Sequence, residues 1–369
     1  MPLVTTTSEH RFQCIKGAEL SDGILSGAGF ALAGYQSLDG HEIVYHMPTA
    51  DLDTIIFLFG LRGIGNHYRI DIDSSRNRIV LNRVRDGIST YLHHAYLDLK
   101  KEPSLSIRWC RSSIRLFSGT VCFMNVLADD LVEGRWGFAG RRQSMRLPEV
   151  TVEVHSSPHY AWIVLGDGYS NNRWSNRNFY SWPELAFGDK LPYLNACVAA
   201  GNTRRVLEIA HQIGADFADS KVILAVGADD FMEGESLEDT IARLRQITNL
   251  ARGYGATEVH ICSLLPKPKY PEGLPEWNRA IAGLAGQEFN SLIDFHHWLD
   301  SSPNELLVHG DYPGAEAQGV LATGVLHCCE LPNRLASLKF QIPQPLLKGI
   351  AARAGARIGS WIDHSLGRF

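Results

Sequence analysis

Between about residues 10 and 155, apolar and polar side chains alternate in short runs broken by turn residues. Tyr68-Arg69-Ile70-Asp71-Ile72 alternates, Asp73-Ser74-Ser75-Arg76-Asn77 interrupts, and Ile79-Val80-Leu81 resumes. Ser106 to Cys110, Ser113 to Phe117, Thr120 to Phe123, Gly134 to Phe138 and Val150 to Val154 continue the series. A period of two with regular turns and no long helical stretch predicts an antiparallel β-sandwich.

From about residue 160 the pattern changes. Trp162-Ile163-Val164-Leu165, Val222 to Val226, Val259 to Cys262 and Leu292 to Phe295 are short, almost wholly apolar runs. Between them Thr203–Phe217, Ser236–Tyr254 and Pro275–Asn290 have helical composition. In the second of these Leu237, Ile241, Leu244, Thr248 and Ala251 form one stripe, and Ser236 with Asp239 three residues on has the form of a capping box. Continuous apolar strands alternating with helices predict a parallel sheet covered on both faces. Ligands of such sheets bind beyond the carboxyl ends of the strands.

The chain has 369 residues, 45% of them hydrophobic and 20% charged, which is enough for two packed cores. The pattern divides it into a sandwich over 1–155, an α/β unit over 156–335 and a tail over 336–369. A formal net charge of -5 argues against a general nucleic-acid binder, which needs a basic surplus. The beginning, MPLVTTTSEHRF, lacks a basic start followed by an apolar run, and no stretch approaches the roughly 18 apolar residues of a membrane span. The seven cysteines are scattered without a CxxC pair, so a reducing, cytoplasmic location is expected and Cys328-Cys329 are expected to be buried on a helix. The tandem pairs His93-His94 and His296-His297 have no zinc-type spacing, and no cofactor or metal is predicted.

Polar clusters follow the apolar strands. The first run ends in Gly166-Asp167-Gly168-Tyr169-Ser170-Asn171-Asn172, and Val198-Ala199-Ala200-Gly201-Asn202-Thr203 enters a helix directly. A third strand ends in Gly227-Ala228-Asp229-Asp230, and a late loop reads His309-Gly310-Asp311-Tyr312-Pro313. In order and spacing these four blocks resemble the SGNH (GDSL-like) hydrolase superfamily over residues 160–330. The first half resembles the concanavalin-A-like (laminin-G-like) jelly roll in its GxWGF-type strand and the alternating valines that follow. The resemblances imply an N-terminal all-β jelly-roll sandwich and a C-terminal three-layer α/β unit with an SGNH/flavodoxin-like parallel sheet. They also imply an ancestor acting on acyl esters through a serine nucleophile, an oxyanion hole of glycine and asparagine, and an acid–base DxxH pair. Block by block, Gly168 stands at the nucleophile position, Asp229 at the oxyanion asparagine, and His309 and Tyr312 at the acid and base; Gly201 alone is retained. Glycine offers no nucleophile, and an ionised Asp229 would put negative charge where an oxyanion must develop.

Three functions remain open. In the first, Asp167, Asp229, Asp230, His309, Asp311 and Tyr312 converge on one pocket and perform acid/base chemistry without a covalent intermediate, with Gly168, Gly201, Asn202 and Arg173 contacting substrate. In the second, Ser170 is a relocated nucleophile with His309 as base, giving an esterase or acyltransferase; its plainer role is a helix N-cap. In the third, the chain binds a glycan or a partner without catalysis, and Trp174, Phe179, Tyr180, Trp182, Arg173 and Arg177 line a pocket mouth or pack inward. The expected substrate or ligand is a small polar molecule, an acyl ester or a carbohydrate.

After Pro332 the chain carries Arg334, Lys339, Lys348, Arg353, Arg357 and Arg368 against Asp363 alone. Leu346, Ile350, Ala354, Ile358, Trp361 and Ile362 recur at helical spacing, interrupted by Gly349, Gly355 and Gly359. A basic amphipathic segment of this kind suits an anionic membrane surface, a dimer seam or packing back onto the protein.

Overall fold

The computed structural model describes residues 3–6, 12–49, 52, 54–99, 101, 104–128, 131–140, 144–171, 181–188, 191–265, 272–299, 307–308 and 312–331. It divides into two compact units, Met1–Pro158 and His159–Phe369.

The first unit is a jelly-roll sandwich in which every strand pair is antiparallel. One sheet runs β1 (Leu3–Thr6), β16 (Thr151–Ser156), β6 (His41–Pro48), β11 (Ser104–Trp109), β12 (Ser113–Ser118), β13 (Val121–Leu127). The other runs β10 (Ile88–Tyr96), β9 (Arg78–Arg85), β8 (Asn66–Asp73), β7 (Thr54–Gly63), β14 (Glu133–Ala139), β5 (Phe30–Ser37), β2 (Gln13–Ile15). A small third sheet joins β15 (Met145–Arg146), β4 (Ile24–Ser26) and β3 (Glu19–Ser21). The period of two does what it should. On β14, Trp136 and Phe138 turn inward and are fully buried. Arg135 points away, and its Nε donates to the carbonyl of Ala33 at 2.9 Å. Trp136 meets Tyr45, Phe57, Phe138 and Phe12 with ring centroids 5.7–6.3 Å apart, an aromatic core in tilted and edge-to-face contacts.

The second unit has a five-stranded parallel sheet of β17 (Trp162–Gly166), β18 (Tyr193–Asn195), β19 (Lys221–Ala225), β20 (Glu258–Cys262) and β21 (Ser291–Ile293). Their spatial order is β18-β17-β19-β20-β21, which by position in the unit is 2-1-3-4-5, the flavodoxin-like order. The helices are α1 (Gly168–Asn171), α2 (Trp182–Phe187), α3 (Thr203–Gln212), α4 (Ala228–Glu233), α5 (Leu237–Gly253), α6 (Leu274–Leu284), α7 (Phe295–Leu299) and α8 (Ala315–Cys328). Ser236 caps α5, accepting from the amide of Asp239 at 3.0 Å.

Several expected boundaries shift. The helix from Thr203 stops at Gln212 and gives way to a 3₁₀ turn over Gly214–Phe217. The helix expected over Pro275–Asn290 ends at Leu284, where Ala285 turns to extended backbone. The last strand ends at Ile293, and Phe295 opens α7. Strand β18 was not among the apolar runs; it has three residues, and Asn195 makes it look polar. Cys328 and Cys329 sit at the exit of α8 and are half-buried, a correction to the expectation of full burial. Among the described residues no helix is long and apolar enough to cross a membrane. The tail of residues 336–369 lies outside the described residues.

Candidate functional site

Two close backbone approaches hold the strand ends together. At Gly166 a Cβ would lie 2.5 Å from the carbonyl oxygen of Ala225, and at Gly201 it would lie 2.8 Å from that of Val198 and 3.0 Å from that of Gly166. Any side chain at either position would force the ends of β17 and β19, or the entry to α3, apart. Asn202 then caps α3, accepting from the amide of Arg205 at 3.1 Å and donating Nδ2 to Glu233 at 2.9 Å. Gly201 and Asn202 thus shape the turn as well as border it.

Asp167 is 3% exposed and accepts the amide of Tyr169 at 3.0 Å, closing the tight turn from β17 into α1. Gly168 starts α1, so the backbone alone occupies the position of the expected nucleophile. Ser170 is neither N-cap nor exposed. It lies inside the four-residue α1, 2% exposed, and its Oγ accepts from Trp182 Nε1 at 3.1 Å. Burial pushes the Cys197 thiol well above the ordinary range, and the charges of Asp167 and Glu184 add to the effect. Trp182, fully buried, packs edge-on against Phe295 at 5.4 Å, so the indole that covers Ser170 is itself fixed. Gln318 of α8 ties the layer together, accepting from the amide of Trp182 at 2.7 Å and donating to the carbonyl of Tyr169 at 3.1 Å.

Beneath this layer lies Glu184, a carboxyl the motif comparison missed. Burial pushes it up to about 8, outweighing the hydrogen bond from Asn195 Nδ2 at 3.2 Å. The same amide group donates to the carbonyl of Ser170 at 3.3 Å. The sequence signal was weak: a glutamate in the first turn of a short helix reads as a solvated helix start.

The cavity at the strand ends is lined by Asp167, Tyr169, Ser170, Trp182, Cys262 and Phe295 together with aliphatic residues. Its volume is about 20 Å³, the room of a single water molecule. Asp229 and Asp230 are not among its described walls. Asp229 is half-buried in the first turn of α4. Asp230 is fully buried and faces α3 and α5. Its carboxylate accepts the amide of Thr203 at 2.8 Å and the hydroxyl of Thr203 at 2.5 Å, and pairs with Arg243 at 3.3 Å. Asp167 lines this cavity, Ala228 beside Asp229 lines it as well, and Asp230 turns away to Thr203 and Arg243. Arg173, His309 and Asp311 lie outside the described residues, as do Trp174, Arg177, Phe179 and Tyr180. The backbone of Tyr312 belongs to a two-stranded pairing of β22 (Leu307–Val308) with β23 (Tyr312–Pro313).

A second candidate lies on the sandwich. Register puts Arg69, Asp71 and Asp73 of β8, Arg78 and Asn82 of β9, and Tyr91, His94 and Tyr96 of β10 on the outer face, opposite Ile70, Ile72, Ile79 and Leu81 in the core. Arg69 grips Asp71 through Nε at 3.0 Å and Nη2 at 2.7 Å, and Asn82 Nδ2 donates to the other Asp71 oxygen at 3.1 Å. Beside this planar polar group the rings of Tyr91 and His94 are 5.8 Å apart and those of His94 and Tyr96 5.4 Å apart. Tyr91 Oη is hydrogen-bonded to His94 Nδ1. Burial, and then the charge of Arg78, lowers the affinity of His94 for a proton, which keeps its ring neutral at pH 7. His93, its neighbour, pairs with Leu81 and so takes the opposite face.

The strand order gives the second unit a flavodoxin-like α/β fold with a five-stranded parallel sheet, and the first unit is a jelly-roll sandwich. No family model matches the chain, and no curated protein matches it in sequence. Among solved structures the α/β part is similar to a lipolytic protein of the G-D-S-L family from Veillonella parvula, at 17% identity over 45% of this chain and 96% of that one, with a TM-score of 0.40. It is similar also to TesA, at 21% identity over 45% and 96%, TM-score 0.39. The chain is similar as well to the carbohydrate-binding module CBM66 from Bacillus subtilis, at 13% identity over 42% and 92%, TM-score 0.26.

Proposed function

We propose that this is a carbohydrate-binding protein whose SGNH-like unit does not carry out covalent serine hydrolysis. The observation that carries the reading is the pair Gly168 and Ser170: backbone where the nucleophile belongs, and the neighbouring hydroxyl buried under Trp182. A serine esterase needs an exposed Oγ beside a base, with donors aimed at the oxyanion. Acid/base chemistry without a covalent intermediate needs carboxylates gathered around a substrate-sized space. Of the strand-end carboxylates, Asp230 is committed to Thr203 and Arg243, and Asp167 accepts the amide of Tyr169. Binding asks less of the α/β unit, and the outer face of β8–β10 supplies what a sugar needs. Aromatic rings offer flat apolar surface to the C–H face of a pyranose or furanose ring. Asp71 and Asn82, held in place by Arg69, offer fixed donors and acceptors to adjacent hydroxyls.

A glycan array followed by calorimetry tests this. Tyr91→Ala is expected to weaken binding of the best glycan at least tenfold, roughly the 1.4 kcal/mol of one stacked ring, with the fold unchanged. Full retention of affinity in Tyr91→Ala and Asn82→Ala, or the absence of any glycan ligand, would contradict it.

A further inference from the structure

The outer face of β8–β10 holds a cation that the carboxylates around it leave unmatched. Asp71 is gripped by Arg69. Asp73 caps the 3₁₀ turn Ser74–Arg76, accepting the Ser75 hydroxyl at 2.6 Å and the Arg76 amide at 3.2 Å, and lies 3.8 Å from Arg76 Nε. Asp98, just past β10, pairs with Lys101 at 2.9 Å. Arg78 of β9 is left over. Register sets it opposite Asp73 on one side and Tyr96 on the other, yet the Asp73 carboxylate is spent on the turn. Arg78 is half-buried, and its Nε is shut off from solvent with no hydrogen-bond partner. Among the described residues it forms no ion pair.

We infer that the glycan recognised on this face is acidic, its stacked unit a hexuronic acid whose carboxylate is taken up by Arg78. The inference rests on the glycan-binding reading of the same face. Neighbouring strands lie about 4.8 Å apart, so a ring seated on the aromatic row of β10 extends its exocyclic group over β9, at Arg78. A guanidinium presents its donors in a planar fork that matches a planar carboxylate through two parallel bonds. A neutral ring in the same place would strip water from the charge and return no anion to it. His94 adds no second cation beside Arg78, because its ring is neutral at pH 7. Asp71 and Asn82 stay available to the ring hydroxyls.

The test is calorimetry on the full chain at 150 mM salt with oligogalacturonate, oligoglucuronate and oligomannuronate, each beside its carboxyl-reduced neutral form. The best uronate is expected to bind at least tenfold more tightly than its reduced form. Arg78→Gln is expected to bring that ratio to within about twofold of one, at an unchanged melting temperature. Tyr91→Ala is expected to weaken the uronate and its reduced form alike. Equal affinity for the two forms overturns the inference and leaves the glycan reading standing. A uronate preference that survives in Arg78→Gln overturns the assignment to Arg78, and a sulfated neutral oligosaccharide bound more tightly than every uronate overturns the carboxylate. Absence of binding to any oligosaccharide overturns both readings.

Discussion

Replacing Asp230 by alanine is expected to destabilise the second unit by about 3–5 kcal/mol. The carboxylate is fully buried and does three things at once: it accepts the first amide of α3, it accepts the Thr203 hydroxyl, and it balances Arg243. Arg243 is 16% exposed and also binds Thr203 Oγ1 at 2.7 Å and Glu235 at 2.8 Å. Removing Asp230 therefore leaves an orphaned helix amide and a largely buried guanidinium with one carboxylate fewer. Asp230→Asn retains an acceptor for the Thr203 amide and is expected to cost less, about 1–2 kcal/mol. Urea midpoints at constant m-value measure both. A loss below 1 kcal/mol in Asp230→Ala, with ligand affinity reduced instead, would return Asp230 to a binding role.

The second large effect is on pH. The Glu184 carboxyl is pushed up to about 8 in the folded protein by burial, against 4.5 when exposed. Between these values the unfolded chain is ionised there and the folded chain is protonated, so the folded state binds the extra proton. Stability from this group is complete below about pH 4.5, declines as pH rises, and is lost above about 8. From pH 5.5 to 8 the decline approaches about 3 kcal/mol, at 1.36 kcal/mol per unit. Glu184→Gln has no proton to lose. Chemical denaturation at pH 5.5, 7 and 8.5 is expected to show a much flatter profile for the variant, whatever its absolute stability. Parallel profiles for the two proteins would mean that Glu184 is ionised in the native state.

These effects mark where sequence reading was sufficient and where it stopped. Strand periodicity identified β14 because Trp136 and Phe138 alternate with Arg135, whereas Gly201 was legible only as part of a block resembling the SGNH hydrolases and not as the close backbone contact it makes. Side-chain direction was not legible. Asp229 and Asp230 are adjacent in sequence, yet successive residues on a helix point about 100° apart. Which one meets Arg243 depends on where α5 packs. Ser170 looks like a cap from its neighbours, but Asp167 already fills that role through the Tyr169 amide, and the hydroxyl turns inward to Trp182, twelve residues on. Helix α8 was passed over although it had a signal. Ala317 to Leu326 carry no charge, and a helix apolar all round is a buried one.

The central claim is that Ser170 does not act as a nucleophile. Treatment of the full chain with a fluorophosphonate, followed by intact mass and peptide mapping, tests it most directly. The account predicts an unmodified mass and no adduct on the peptide containing Ser170. A stoichiometric adduct on Ser170, reached by displacing the Trp182 indole, would contradict it and restore an esterase.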